Sequence, residues 1–265
     1  MNVKYLLSEL SPNSLSLVLL GLSIGLILSL MGAGGALIAV PTLIFLLDYE
    51  LEIATTVSAI IVLIGAISSL IFRRGLRALE LKTALQLSMF GFLGNFFGSF
   101  LFFFFPNLLI YIFLVITMSI SIRLMATRDK LSNQANSKIK PTFLVGVGFL
   151  AGLLSGLLGV GGGFVLVPAL VKYANKELRD AVGISLAFIL LNSLLAIYLR
   201  RESLELILVS DLVALILAMV LATFVVSLFF PKFKERSLNI LYIALISICI
   251  IGIILYRIIP EIELL

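Results

Sequence analysis

The chain has no histidine, no tryptophan, one cysteine and little charge: Asp, Glu, Lys and Arg make up 12% of its 265 residues. Each shortage excludes something. Without histidine there is no His-ligated zinc site and no Ser-His-Asp triad. The lone Cys249 cannot build a disulfide framework. An ordinary soluble domain carries roughly 25% charged residues. Half of that is too little to coat a globule, so a soluble enzyme is excluded. A disordered chain is excluded from the other side, because 62% of the residues are hydrophobic. No GxxxxGK[ST] phosphate loop occurs, which leaves the chain without an ATPase site of its own. The net charge of +5 comes from 19 Lys and Arg against 14 Asp and Glu. In a membrane chain such a surplus belongs to cytoplasmic loops, so nucleic acid is not an expected partner.

What is present is apolar sequence, cut by charges and prolines into eight blocks, at about 14–47, 53–72, 84–105, 108–126, 143–174, 181–199, 211–230 and 238–259. Six of them are near the ~20 residues that a helix needs to cross a hydrocarbon core. With no water to satisfy exposed backbone groups, such runs must be helices. The alternating pattern of a membrane β-barrel is absent. The expected fold is an all-α polytopic membrane protein, with the first block read as a retained span and not as a removed signal peptide.

The longest polar stretch, 127–141 (TRDKLSNQANSKIKP), falls mid-chain, and the sequences on either side are copies. Shifting by 127 residues aligns Gly21–Arg74 with Gly148–Arg201 without a gap, giving 17 identities in 54 positions. Gly21, Gly25, Gly32, Gly34, Gly35, Pro41, Ser58, Arg73 and Arg74 fall on Gly148, Gly152, Gly159, Gly161, Gly162, Pro168, Ser185, Arg200 and Arg201. Shared apolar composition explains matching leucines but not that set. The reading is two homologous four-segment repeats, 1–126 and 142–265, joined by the linker 127–141.

Blocks one and five are anomalous. The first has 34 residues, a helix of about 51 Å if continuous. It must break, and both copies carry glycines followed by a proline: MGAGGALIAVP (Met31–Pro41) and LGVGGGFVLVP (Leu158–Pro168). Each repeat is therefore expected to open with a Gly/Pro-broken transmembrane helix, Pro41 and Pro168 marking the break. A broken helix leaves N–H groups unpaired at a positive dipole end, and a glycine turn can gather them into an anion nest. Paired breaks in two halves are the best sequence pointer to a transporter's binding site. On that ground Gly32, Gly34, Gly35, Gly159, Gly161, Gly162 and Gly163 are candidate substrate-binding residues. The four-spaced Gly21 and Gly25, and Gly148, Gly152 and Gly156, read instead as helix-packing positions.

GLLSGLLGVGGGFVLVPAL (Gly152–Leu170), followed by AVGIS (Ala181–Ser185), resembles the signature of the sulfite exporter TauE/SafE family of bacterial and archaeal membrane proteins. The first half is similar, with GAGGA for GVGGG, and the resemblance covers nearly the whole chain. A Thr-Ser pair of the family pattern reads here Val57-Ser58 and Ile184-Ser185, keeping only the serine. The resemblance implies transport of small sulfur-containing or organic anions across a prokaryotic plasma membrane.

Polar side chains inside apolar blocks are candidates by default. These are Asn95, Asn192 and the repeat-related Ser58 and Ser185, for which helix–helix or own-backbone hydrogen bonds are the competing reading. Asp211 is expected to cap a helix, with a proton-coupling carboxylate as the competing reading. Arg200-Arg201 and Arg73-Arg74 are expected to anchor at the interface, with attraction of anions at a mouth as the competing reading. Cys249 is expected to be inert core, and the phenylalanines of Phe100–Phe105 to face lipid. If each broken block reverses direction, the repeats are inverted. Then 15 of the 19 basic residues share the linker's face, which the positive-inside rule makes cytoplasmic. The functional expectation is a secondary transporter, an exporter in kind, of a small anion such as sulfite, thiosulfate, an organosulfonate or a carboxylate. A coupling ion (H+ or Na+) and the bilayer are its expected partners, with no cofactor and with the oligomeric state open. A passive anion channel is the alternative, and an intramembrane enzyme a more remote one, since serine without histidine lacks a base.

Overall fold

The computed structural model describes residues 12–31, 34–72, 80–126, 141–174, 176–201, 209–229 and 235–263. Among the described residues every regular element is a helix. Before the linker come α1 (Pro12–Met31), α2 (Gly34–Leu46), α3 (Leu51–Phe72), α4 (Leu81–Phe102) and α5 (Asn107–Ala126). After it come α6 (Pro141–Leu158), α7 (Gly163–Tyr173), α8 (Leu178–Leu199), α9 (Val209–Phe229) and α10 (Glu235–Ile253). A π-helical turn, Ile254–Ile258, leads from α10 into the short α11 (Ile259–Glu263).

Among the described residues four helices are long and apolar enough to cross a membrane: α3, α4, α5 over Asn107–Leu124, and α8 over Arg179–Leu199. Shorter apolar stretches lie in α1, α6, α7 and α9. Outward faces are apolar as lipid requires. Met89, Phe96, Phe97 and Phe100 on α4, and Leu217, Leu221 and Leu228 on α9, are all exposed.

The second long block is interrupted between Leu158 and Gly163, whereas α1 and α2 of the first lie on either side of residues 32–33, which are outside the described residues. In the second block the interruption falls at the glycines and not at the proline. Pro41 and Pro168, expected at the break, lie inside α2 and α7. An interior proline removes the N–H that would bond the carbonyl four residues back. For Pro168 that carbonyl belongs to Phe164, and Ser121 Oγ of α5 donates to it at 3.2 Å. A hydroxyl from a neighbouring helix thus replaces the missing donor, the usual way that a membrane helix tolerates proline.

At its break the second long block turns back on itself. A Cβ on Gly162 would collide with the carbonyl oxygen of Ala151, two turns before the end of α6. The rings of Phe143, near the start of α6, and Tyr173, at the end of α7, are 6.2 Å apart. α6 and α7 therefore form a hairpin whose two ends lie on the same side. α1 and α2 likewise pack against each other.

The two most extensive helix contacts join the halves crosswise, α4 on α6 and α9 on α1. Both are glycine contacts between helices running in the same direction. Gly148, Gly152 and Gly156 of α6 face the carbonyls of Leu87, Gly91 and Asn95, one turn apart on each helix. Gly21 and Gly25 of α1 face those of Leu215 and Met219. Without a hydrophobic drive between helices in lipid, such close backbone approach supplies the packing energy. The packing roles expected for these five glycines are the ones observed. The α4 partners Gly94 and Gly98 carry the same function and were not anticipated, while Gly91 makes room for Phe188 and Asn192 of α8.

Where α4 and α8 begin, Lys176 Nζ donates to Glu80 Oε1, and Thr83 Oγ1 donates to Glu80 Oε2 at 2.9 Å. The Lys176 hydrogen bond holds the Glu80 carboxyl below its ordinary pKa, outweighing the opposite push of burial. A lowered folded-state pKa gives stabilisation that is present above the unfolded value, about 4.3, and is lost as pH falls through the folded one. The pair is partly exposed. Glu80→Gln should therefore cost at most about 1 kcal/mol at pH 7, and nothing once the pH lies below the folded-state pKa. Thermal unfolding at both pH values checks this.

Candidate functional site

The turn between α6 and α7 is buried at the centre of the fold. Gly159, Gly161 and Gly162 have φ of 65°, 71° and 66°, a left-handed conformation that any Cβ would strain. Gly162 is the N-cap of α7 and offers no side-chain cap. Val165 N–H donates to the Gly162 carbonyl at 3.3 Å, which leaves the N–H groups of Gly163 and Phe164 at this turn with no side-chain cap. The positive end of the α7 dipole points the same way.

Two helices, α3 and α8, close around the turn. A Cβ on Gly159 would meet the Thr55 carbonyl, and one on Gly161 would lie 3.1 Å from Val62 Cγ1 and 3.3 Å from Ile189 Cγ2. Ser58 falls between Thr55 and Val62 at helical spacing, on the same face of α3. Its Oγ is buried without a partner. Ser185 Oγ of α8 reaches the turn directly, donating to the Gly163 carbonyl at 3.4 Å. α2 and α7 also touch each other. Gly34 and Gly35 are the first two residues of α2, and Gly32 lies outside the described residues.

Asn95 and Asn192 meet between α4 and α8. Asn95 Nδ2 donates to the Asn192 carbonyl at 2.7 Å, while its Oδ1 accepts from Ser99 Oγ at 3.3 Å. Asn192 Nδ2 donates to Phe188 O at 3.1 Å, and its Oδ1 has no partner. Asn95 thus binds α8 through Nδ2 and its own helix through Oδ1, whereas Asn192 keeps one free acceptor.

Three further expectations change. Asp211, expected to cap a helix, lies inside α9, which begins at Val209. Arg200, expected as an interfacial anchor, is only 2% exposed. Its Nη2 donates to the Gly156 carbonyl, and its guanidinium carbon lies 4.5 Å from the centroid of the Phe102 ring. Phe102, expected to face lipid with its neighbours, is buried beneath it. Arg201 is exposed, 5.5 Å from the Tyr198 ring, as an anchor should be. Arg73, the repeat counterpart of Arg200, lies outside the described residues.

A helical bundle dressed in apolar side chains, with a buried glycine-turn hairpin, defines a multi-pass membrane protein, and the comparisons with known proteins place it among membrane transporters. The pattern of the sulfite exporter TauE/SafE family matches residues 17–253, and the chain belongs to that family. It is 29% identical over 187 residues to a "probable membrane transporter protein" of Methanocaldococcus jannaschii, covering 67% of this chain and 68% of that one. It is 31% identical over 183 residues to the "probable membrane transporter protein" YdhB of Bacillus subtilis, covering 66% and 73% respectively. A second Bacillus subtilis relative, YunE, carries the same description and is 26% identical over 204 residues, covering 67% and 74%. No solved structure matches the chain.

Proposed function

We propose that the protein is a secondary transporter that exports a small anion such as sulfite, thiosulfate, an organosulfonate or a carboxylate, bound near the midplane at the two glycine breaks. The observation that carries this reading is the buried, uncapped N-terminus of α7, introduced by three left-handed glycines. A turn of that kind aims N–H groups at one point and attracts negative charge without a charged side chain. Gly159, Gly161, Gly162 and Gly163 supply the turn, and Gly32, Gly34 and Gly35 its counterpart. Ser58 and Ser185 add hydroxyls, and Asn192, backed by Asn95, adds the second N–H of its Nδ2, the first of which bonds Phe188 O.

In this reading residues 1–126 and 142–265 are inverted repeats, and alternating access is a rocking of one against the other. Two observations support it. The crosswise pairs α4/α6 and α9/α1 exchange under the repeat alignment. Gly159, at the end of α6, lies against Thr55 at the start of α3. α3 thus runs against α6. Glu80 joins Lys176 where α4 and α8 begin, so α8 runs with α4 and with α6. The repeat-equivalent helices α3 and α8 are then antiparallel, as inversion requires.

The linker is cytoplasmic in the plasma membrane, on the positive-inside rule. In a Cys249→Ser background, Ser132→Cys should be labelled only from the cytoplasmic side, and Arg201→Cys only from outside. Labelling of both from one side would overturn the inverted arrangement. The transport reading is tested by flux into proteoliposomes for sulfite, thiosulfate, sulfoacetate and acetate. Saturable uptake that responds to an imposed H+ or Na+ gradient is expected. Unsaturable flux indifferent to both gradients would indicate a passive channel instead.

A further inference from the structure

Arg200 is the one basic side chain that the described residues bury almost completely, and the transport reading so far gives it no task. A guanidinium carries five N–H donors. One atom, Nη2, donates to the Gly156 carbonyl, while Nε and Nη1 have no acceptor at all. Among the described residues no carboxylate forms an ion pair with it. Glu52, in the first turn of α3, acts on it only from a distance. The Phe102 ring beneath the guanidinium offsets part of the lost hydration. A buried cation with unmet donors is nonetheless among the costliest arrangements in a protein interior. What it lacks is an acceptor that brings negative charge.

The position is specific. Gly156, which Arg200 grips, lies one helical turn before Gly159, where the glycine turn begins. Ser99 Oγ is within 3.5 Å of the same carbonyl, and the Oγ of neighbouring Ser155 is also buried without a partner. The guanidinium thus sits beside the turn, at the end of the fold where α8 finishes and α3 starts. That is the end away from the linker.

We propose that Arg200 is a charged station for the transported oxyanion, between the glycine turn and the face of the membrane opposite the linker, its Nε and Nη1 donating to oxygens of a sulfonate, sulfite or carboxylate. The inference rests on the anion reading above and adds a side-chain cation to a site otherwise built from backbone. A lipid phosphate has the same chemistry and is the other source of such oxygens.

The test uses the purified full chain in detergent with gluconate as the background anion. Thermal stabilisation is titrated with sulfite, sulfoacetate and acetate in the wild type and in Arg200→Met, Arg200→Lys and the exposed control Arg201→Met. Expected is saturable stabilisation of the wild type and of Arg201→Met. Kd should be weakened about tenfold or more in Arg200→Met, the scale of a charge-assisted hydrogen bond, and less in Arg200→Lys. Without anion, Arg200→Met should melt no lower than the wild type, because it removes an unmatched buried charge. Should Arg200→Met fail to fold, the Arg200→Lys titration decides alone. Wild-type affinity in the folded Arg200 variants overturns the station and leaves the anion reading standing. No stabilisation of the wild type by any probe overturns both. In a parallel arm with phosphatidylglycerol, stabilisation by lipid alone, lost in Arg200→Met, would make Arg200 a lipid anchor and overturn the proposal.

Discussion

Gly152→Leu should leave no folded protein to purify. A Cβ at Gly152 would fall inside the carbonyl group of Gly91, and its nearest obstacles are all backbone atoms that cannot rotate aside. α4 and α6 would have to separate, and as stiff rods they would lose the contacts at Gly94, Gly98, Gly148 and Gly156 together. Overpacking a core costs typically 1–3 kcal/mol when side chains can yield. Here none can, against a total stability of about 5–15 kcal/mol. The control is Gly146→Leu on the same helix, where an added Cβ meets nothing within 4 Å. Its helix propensity improves by up to about 1 kcal/mol, so it should purify and melt like the wild type or slightly above it. Gel-filtration yield and melting temperature are the measurements. A monodisperse Gly152→Leu that melts within a few degrees of Gly146→Leu would show that α4 and α6 do not meet as described.

How much of this could be read from the chain depends on how local each cause is. The glycine clusters are local, and α6 ends and α7 begins where the second cluster lies. The four-residue spacing of Gly148, Gly152 and Gly156 is local too, and announced a close helix contact without naming the partner. Gly94 and Gly98, four residues apart, carry a matching pattern that could have named it. Pro168 misled because its compensation comes from Ser121, forty-seven residues earlier on another helix. Arg200 misled for the same reason. An Arg pair at the end of an apolar block looks interfacial, and only Phe102 and Gly156, from two other helices, bury one member and leave the other outside. Asn95 and Asn192 were legible as buried polar residues, but their mutual bond was not, since it joins positions 97 apart.

The glycine turn itself can be separated into a structural and a functional part by comparing Gly161 with Gly162. Both are left-handed, so a non-glycine residue costs roughly 1–2 kcal/mol at either position. Their surroundings differ. At Gly162 an added Cβ collides with the carbonyl oxygen of Ala151, so Gly162→Ala should lose folded protein much as Gly152→Leu does. At Gly161 the nearest atoms are the side-chain tips of Val62 and Ile189, at 3.1 and 3.3 Å, which can shift by a few tenths of an ångström. Gly161→Ala should therefore fold, at a cost of about 1–2 kcal/mol from backbone strain alone. If the N–H groups of the turn hold the anion, a methyl group at Gly161 narrows the nest and tilts its donors, and a β-branched side chain closes it. Maximal flux per folded molecule should fall by about tenfold or more in Gly161→Ala, the loss expected when more than one hydrogen bond to a charged ligand is weakened, and Gly161→Val should transport nothing measurable. KM and maximal flux in proteoliposomes, normalised to protein that elutes as a single peak, separate the two effects. Wild-type flux in both Gly161 variants would move the anion off the glycine turn and reduce that turn to a packing device.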